Sequence, residues 1–369
     1  RGRFATPEAA VSVGYTASRM AHSALRWLAT NHGKQSGDRI FLCWNPEGKE
    51  TPGNLLYAFD AGEDKRDFVS YREELRKTLD GYGNKLRPQD DVVIAALEAA
   101  TTGRLSVTYY TEMKSADLLD RIEHWYDTCA WDGGKFNVPT PSFREIILCA
   151  FGKPSGNGLS LDKRDAKLAG KYFQKLLSCL TEGRSIPPDL VRALAARADT
   201  PQAYEAGPLA RIRHTACALI RKYRNDQAKR EEWKVTLDTE NRDRSYLFGR
   251  LLAVLEQAEA ATYGKEDRRE TNALRRLTRY TQQPMHTARA LYEKLNPYLN
   301  RLMRNKPGLY RQYRALFDQL FGLLDELEHT SLNEPLEDVY LLGYSSQRSA
   351  LFTKQEQNET NTDGGNTDE

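Results

Sequence analysis

The chain has 369 residues, 28% of them charged, and a formal net charge of +3. That balance belongs to globular domains in water, and at roughly 100–200 residues per domain it predicts two or three of them. A membrane-spanning helix needs about 20 consecutive apolar residues. The longest stretch without a charge is the 10 residues 9–18, so no transmembrane segment is expected. No signal-peptide pattern opens the chain, and a cytoplasmic location is expected. The first residue is Arg1 rather than Met, which points to a piece of a longer protein.

The near-neutral total conceals an asymmetry. Residues 211–314 hold 24 Lys and Arg against 12 Asp and Glu, a balance of +12, while the remainder balances at −9. A polyanion-binding module joined to something else gives this distribution. The cysteines, Cys43, Cys129, Cys149, Cys179 and Cys217, are odd in number and widely spaced, and four of them sit in apolar stretches. Buried, reduced thiols are expected.

In chain order, residues 15–32 pattern as a helix with Met20, Ala24, Trp27 and Leu28 on one side and Gly33 past its end. Residues 38–44 (DRIFLCW) read as a short apolar strand, and 45–53, rich in proline and glycine, as a loop. Residues 92–97 (VVIAAL) and 104–112 (RLSVTYYTE) are predicted strands, the second alternating with period two. A helix over 115–129 follows, with Leu118, Leu119, Ile122, Trp125, Tyr126 and Cys129 as its apolar face. Beyond Pro141 the strand signals stop. Ser142 and Glu145 form a capping box before Ile146. Helical patterns then recur at 164–180, 188–198, 208–234, 243–263, 267–282, 285–304, 308–329 and 336–353, with prolines near their starts. The predicted fold class is α+β: a mixed α/β part over 1–140, a helical connector over 141–206 and an all-α bundle over 207–354. Residues 355–369 contain no apolar side chain and are expected to be disordered.

Much familiar chemistry is missing. There is no G-x-x-x-x-G-K-[ST] motif, and the glycine-rich 152–158 (GKPSGNG) is expected to be a flexible loop. No histidine has another within five residues, so helical metal-ligand spacing is lacking, and no G-x-S-x-G elbow occurs. No catalytic residue, metal site or cofactor is assigned. A metal-dependent nuclease built from distant carboxylates is the enzymatic alternative.

The basic stretch carries the positive signal. Its candidate nucleic-acid contacts are Arg211, Arg213, Arg221 and Lys222, then Arg268, Arg275, Arg276 and Arg279, then Arg289, Arg301, Arg304, Lys306, Arg311 and Arg314, with Arg224, Arg269 and Lys294 among them. Guanidinium groups bind phosphate bidentately and keep their charge, which suits a phosphodiester track. Arg268, Arg275 and Arg279 are spaced to share one helical face. Tyr223, Tyr280, Tyr292, Tyr298, Tyr310 and Tyr313 are interleaved and are read either as stacking platforms or, more commonly for tyrosine, as core residues. The bland alternative for the charges is a solvated, ion-paired helix surface. No base-reading module is recognisable, so binding to the backbone without sequence preference is expected.

Two further stretches carry a resemblance. Residues 237–261 (LDTENRDRSYLFGRLLAVLEQAEAA) contain Tyr246, Leu247, Gly249, Arg250, Leu251, Ala253 and Glu256 after a Leu-Asp pair. They resemble the hallmark helix of the large subunit of the type I-C CRISPR Cascade complex. Residues 340–354 (YLLGYSSQRSALFTK) are similar to the same family's C-terminal signature, with Gly343, Tyr344, Gln347 and Arg348 in place. Looser similarity covers 38–44 and 92–129. The family's strand-joining loop reads Pro-Asn-x-x-Arg, whereas this chain has Ala99, Ala100, Thr101, Thr102 and Gly103 before Arg104. The resemblance implies a non-enzymatic subunit of an RNA-guided complex that binds target double-stranded DNA and its displaced strand by shape and charge. It implies a C-terminal bundle like the Cascade small subunit. It implies, as partners, crRNA-containing backbone subunits, small-subunit helical bundles and a recruited helicase-nuclease. It adds Arg250 to the candidate contacts, with pairing inside the fold as the equal alternative for that residue. A further N-terminal domain, associated in the family with reading the protospacer-adjacent motif, is expected to precede this chain. A purely structural scaffold bridging backbone subunits is the other alternative.

Overall fold

The structure is a computed structural model that describes residues 13–56, 68–101, 104–132, 139–156, 158–227, 232–264, 270–327 and 332–363. Helix α1 (Tyr15–Asn31) leads into strands β1 (Lys34–Ser36) and β2 (Arg39–Trp44). Helix α2 (Phe68–Lys85), strands β3 (Asp91–Thr101) and β4 (Arg104–Lys114) and helix α3 (Ser115–Thr128) follow. The four strands form one antiparallel sheet in the order β1-β2-β3-β4, with Cys43 opposite Ile94 and Ile94 opposite Thr111. The uninterrupted apolar run of β3 matches its setting, because Val92 through Leu97 are buried on both faces.

Three expectations for this half need correction. Helix α2 has no counterpart among the expected elements; Tyr71, Leu75 and Leu79, four residues apart, turn inward along it. Helix α1 forms where expected, but Met20 and Trp27 are 68% and 57% exposed, and none of its residues is buried. The described residues of the glycine-rich 152–158 are also not all loop. After α4 (Phe143–Phe151), they supply strand β5 (Lys153–Ser155) and the start of β6 (Gly158–Ser160), an antiparallel pair.

The rest is helical, which makes the fold α+β as expected: α5 (Ala166–Glu182), α6 (Pro188–Ala198), α7 (Ala206–Gln227), α8 (Arg244–Ala260), α9 (Asn272–Arg275), α10 (Leu277–Gln282), α11 (Pro284–Asn305), α12 (Pro307–Asp325) and α13 (Tyr340–Asp363). Prolines occupy the first turns of α6, α11 and α12, where a missing N–H costs nothing. Ser142 caps α4 by accepting from the Glu145 N–H at 3.1 Å, but the Glu145 carboxylate turns to Arg211 instead of closing a capping box. Helix α13 runs on into the stretch expected to be disordered, and 364–369 lie outside the described residues. One hydrophobic cluster extends from Phe41 in the sheet to Leu351 in α13, with no break at residue 140 or 206. All five cysteines are buried and unpaired, and burial pushes each thiol up to about 12.

Helix α8 lies at the centre of the helical half. Every residue from Ser245 to Glu259 is buried, with α13, α11, α12 and α9 packed around it. It meets α13 at two glycines. A Cβ on Gly249 would stand 1.9 Å from the Tyr340 carbonyl oxygen, and one on Gly343 would stand 2.1 Å from that of Tyr246. Gly249 sits mid-helix, where glycine is unfavourable by about 1 kcal/mol. Backbone-to-backbone contact is the reason it is there.

Two outcomes test these points. Gly249→Ala or Gly343→Ala must push the helices apart and should lower stability in denaturant unfolding by roughly 1–3 kcal/mol, the cost of overpacking. Gly322→Ala, with nothing within 4 Å of its added methyl, should be neutral or stabilising. The second concerns Asp90, which accepts from Lys49 Nζ at 2.6 Å and from the Arg87 N–H at 2.8 Å. The Lys49 bond, with help from Arg87, lowers its carboxyl from 3.8 to about 2. A depressed folded-state value stabilises above 3.8 and stops doing so as pH falls to about 2. Asp90→Asn should therefore lower the melting temperature at neutral pH, and the gap to wild type should close across that acid window.

Candidate nucleic-acid interface

The basic residues divide into two groups by burial. The first points inward. Helix α7 is apolar around most of its circumference, with Thr215 through Lys222 all buried, so cations within it are buried too. Arg221, 4% exposed, donates to the carbonyls of Trp233 (2.6 Å), Asp127 (2.7 Å) and Thr128 (3.0 Å) and to the Glu232 carboxylate (2.6 Å). Lys222 bonds Thr128 Oγ1 at 3.1 Å and Asp226 at 3.2 Å, with its ammonium 5.1 Å from the Trp125 ring centre. Arg211 makes a two-pronged pair with Glu145, and Arg224 one with Asp338 and Glu337. Arg213 lies over the Tyr344 ring, 5.1 Å from its centre.

Arg250 belongs to the same group. It is 1% exposed, donates from Nε to Gln347 at 3.1 Å, and has its guanidinium pKa lowered by burial. The two resembling stretches thus interlock, although Arg250 and Gln347 are 97 residues apart. Tyr246 Oη and Ser346 Oγ are 3.1 Å apart, and Tyr344 Oη donates to Glu256 at 2.6 Å, as α8 crosses α13. Arg221, Lys222 and Arg250 must therefore be withdrawn as phosphate contacts, because no polyanion reaches them in this fold. Arg211 is engaged by its carboxylate, and Arg213 by Tyr344.

The second group points outward. Along α11, Met285, Ala288, Leu291, Leu295, Leu299 and Leu302 face the core. Arg289, Lys294, Arg301 and Arg304 fall on the opposite, exposed side. At 1.5 Å per residue, Arg289 to Arg304 covers about 22 Å. The only acid in the helix is Glu293. Arg275 and Arg279 are exposed and Arg276 is half-exposed on the preceding segment, and Arg311 is exposed on α12. Among the described residues, these arginines make no side-chain hydrogen bond or ion pair. Two neighbours are partly engaged: Lys306 donates to the Ala261 carbonyl at 3.0 Å, and Arg314 to the Tyr292 hydroxyl.

The expected helix over 267–282 is corrected in form. Thr271 caps it, α9 stops at Arg275, and Arg276 leaves helical geometry (φ −110°, ψ 14°) before α10. The single face shared by Arg268, Arg275 and Arg279 is thus broken, and Arg268 lies outside the described residues. The tyrosines are core and core-edge residues. Tyr280 and Tyr313 are fully buried, Tyr280 donating to the Phe248 carbonyl at 2.8 Å, while Tyr223, Tyr292, Tyr298 and Tyr310 are half-buried. What remains is a set of exposed or half-exposed guanidinium groups on α9–α12 without a side-chain partner among the described residues.

A family model described as CRISPR-associated protein (Cas_Csd1) matches residues 2–352. No curated protein matches the chain.

The division into two groups has a direct test. Arg221→Ala removes the donor to three carbonyls, that of Thr128 buried and those of Trp233 and Asp127 part-buried, and should cost about 1–3 kcal/mol in denaturant unfolding. Any binding of the protein to DNA should keep its wild-type salt dependence.

Proposed function

The chain belongs to this CRISPR-associated family, and on that premise we propose that it acts as the large subunit of a type I-C Cascade. In this reading it is not an enzyme. It grips target DNA and the displaced strand through the basic ridge on α9–α12, while guide pairing reads the sequence. The observation that supports the reading is the set of Arg275, Arg279, Arg289, Arg301, Arg304 and Arg311, all exposed, with half-exposed Arg276, none of them paired among the described residues; the ridge is the proposal's reading of them. Unpaired surface arginines repel one another, and phosphates relieve that repulsion while releasing counterions. The neighbours in this reading are crRNA-carrying backbone subunits and small-subunit helical bundles. The R-loop it stabilises is the substrate of a recruited helicase-nuclease.

A scaffold role, bridging backbone subunits, is the second reading. What favours it is exposed apolar surface away from the ridge: Met20 and Trp27 on α1, and Leu105, Val107 and Tyr110 on β4.

Charge reversal separates the readings. In the assembled complex, Arg275→Glu, Arg276→Glu and Arg279→Glu combined with Arg301→Glu and Arg304→Glu should weaken DNA binding by an order of magnitude or more. They should also flatten the plot of log affinity against log salt by about 0.9 for each phosphate no longer neutralised. Intact assembly with unchanged DNA binding would overturn the ridge assignment, and loss of assembly would favour the scaffold. Cleavage of DNA by the purified protein with Mg²⁺ or Mn²⁺, abolished by one carboxylate substitution, would overturn the non-catalytic reading.

A further inference from the structure

Four cationic side chains line a cavity of about 320 Å³ between β2, α5 and the segment after α5. Arg39 comes from β2, Lys171 and Lys175 from α5, and Arg184 from the segment that follows; Gln174, Ser178 and Ser185 add neutral donors to the wall. None of the residues lining it is acidic.

The fold assembles this wall by local rules. Lys171, Gln174, Lys175 and Ser178 recur at helical spacing, so they share one face of α5. Helix α5 closes on Gly183 in the left-handed region (φ 68°), which turns the chain back along the helix. Cys179 Sγ then donates to the Ser185 carbonyl at 3.3 Å, fixing the returning segment beside Lys175. Arg39 is held by Gln174 and by Glu98 at 3.2 Å, and its Nε has no hydrogen-bond partner.

The carboxylates around the cavity, Glu98 and Asp38 at Arg39, Glu182 at Arg184 and Asp189 at Lys175, equal the four cations in number but do not line it. Glu182 engages Arg184 at 2.6 Å. Asp189 is taken by the Tyr172 hydroxyl and lies 3.7 Å from Lys175. Asp38 is 3.8 Å from Arg39 Nε. Lys171 is exposed and has no side-chain partner among the described residues.

We propose that this cavity, lined by Arg39, Lys171, Lys175 and Arg184, binds a phosphate group, supplied by a nucleic-acid backbone or by a free phosphate ion. The chemistry is that of a wall carrying ammonium and guanidinium donors without a lining carboxylate, which receives a tetrahedral oxyanion. The inference does not rest on the ridge of α9–α12. The two would act independently, on different elements.

The test measures protection of Lys171 and Lys175 from acetylation in the full chain, read by mass spectrometry. Inorganic phosphate is the probe in one arm, and a single-stranded oligonucleotide at equal phosphate concentration in the other. Both arms are repeated in the ridge-reversed variant, so failure of the ridge reading leaves this result intact. Protection by the oligonucleotide alone assigns the site to a nucleic-acid backbone, and protection by phosphate alone to the free ion. In the first case Lys171→Ala, Lys175→Ala and Arg184→Ala together should reduce the salt slope of oligonucleotide binding by about 2. These three side chains are at least 38% exposed or exposed outright, so the variant should keep the wild-type fold by circular dichroism. Equal acetylation with and without both probes overturns the proposal.

Discussion

Two peptide backbones touch where Gly249 on α8 crosses Gly343 on α13, and the helical half is arranged around that contact. With no methyl group on either side, the helices approach until each glycine lies against the other helix's carbonyl. So close an approach leaves α8 without a solvent face, and α9, α11 and α12 cover what α13 does not. Every polar group on α8 then needs a partner inside the protein. Arg250 finds Gln347 and Glu256 finds the Tyr344 hydroxyl. Glu259 accepts from both the backbone and the side-chain amide of Asn272, each at 2.9 Å. The Arg250–Gln347 and Glu256–Tyr344 pairs form in one register of α8 against α13, so these two contacts specify the crossing that the glycines permit.

The same central helix explains why the ridge faces outward. Helix α11 gives its row of Met, Ala and Leu side chains to α8, and its remaining surface cannot also turn inward. Helix α7 shows the opposite outcome for the same residue types. It is enclosed by α3, α4, α6 and α13, so its cations close onto the final turn of α3. Carbonyls at a helix C-terminus lack intrahelical donors and carry partial negative charge. Arg221 and Lys222 therefore tie α7 to the α/β part at the place where composition predicted a boundary between modules.

Features governed by neighbours in the chain are legible in the sequence. Ser142 as a cap, proline at three helix starts and the β3–β4 pair all follow from local chemistry. What escapes depends on distant partners. Nothing local to Arg211 reveals that Glu145, 66 residues away, stands opposite it. The expected inner face of α1 is misread in part: Met20 and Trp27 are exposed, whereas Leu28 is partly buried together with Ser18, Leu25 and Ala29. For the buried cations a local signal does exist. Residues 215–220 and 245–255 are apolar almost without interruption, and a helix apolar all round is a buried one, so Arg221 and Arg250 had to be internal.

The +12 balance of residues 211–314 therefore overstates what a polyanion meets, yet the correction strengthens the electrostatic argument. Arg211, Arg221, Lys222 and Arg224 are neutralised at close range inside the fold and project little field. In physiological salt, charges farther apart than about 8 Å are largely screened from one another, so a total spread over the surface counts for little. Local density decides. Arg301 and Arg304 share one side of α11, and Arg275, Arg276 and Arg279 crowd a segment of five residues. In the proposed reading, clusters of that kind neutralise successive phosphates within one screening length. Contacts to the backbone position a strand without reading it, and guide pairing then supplies the sequence.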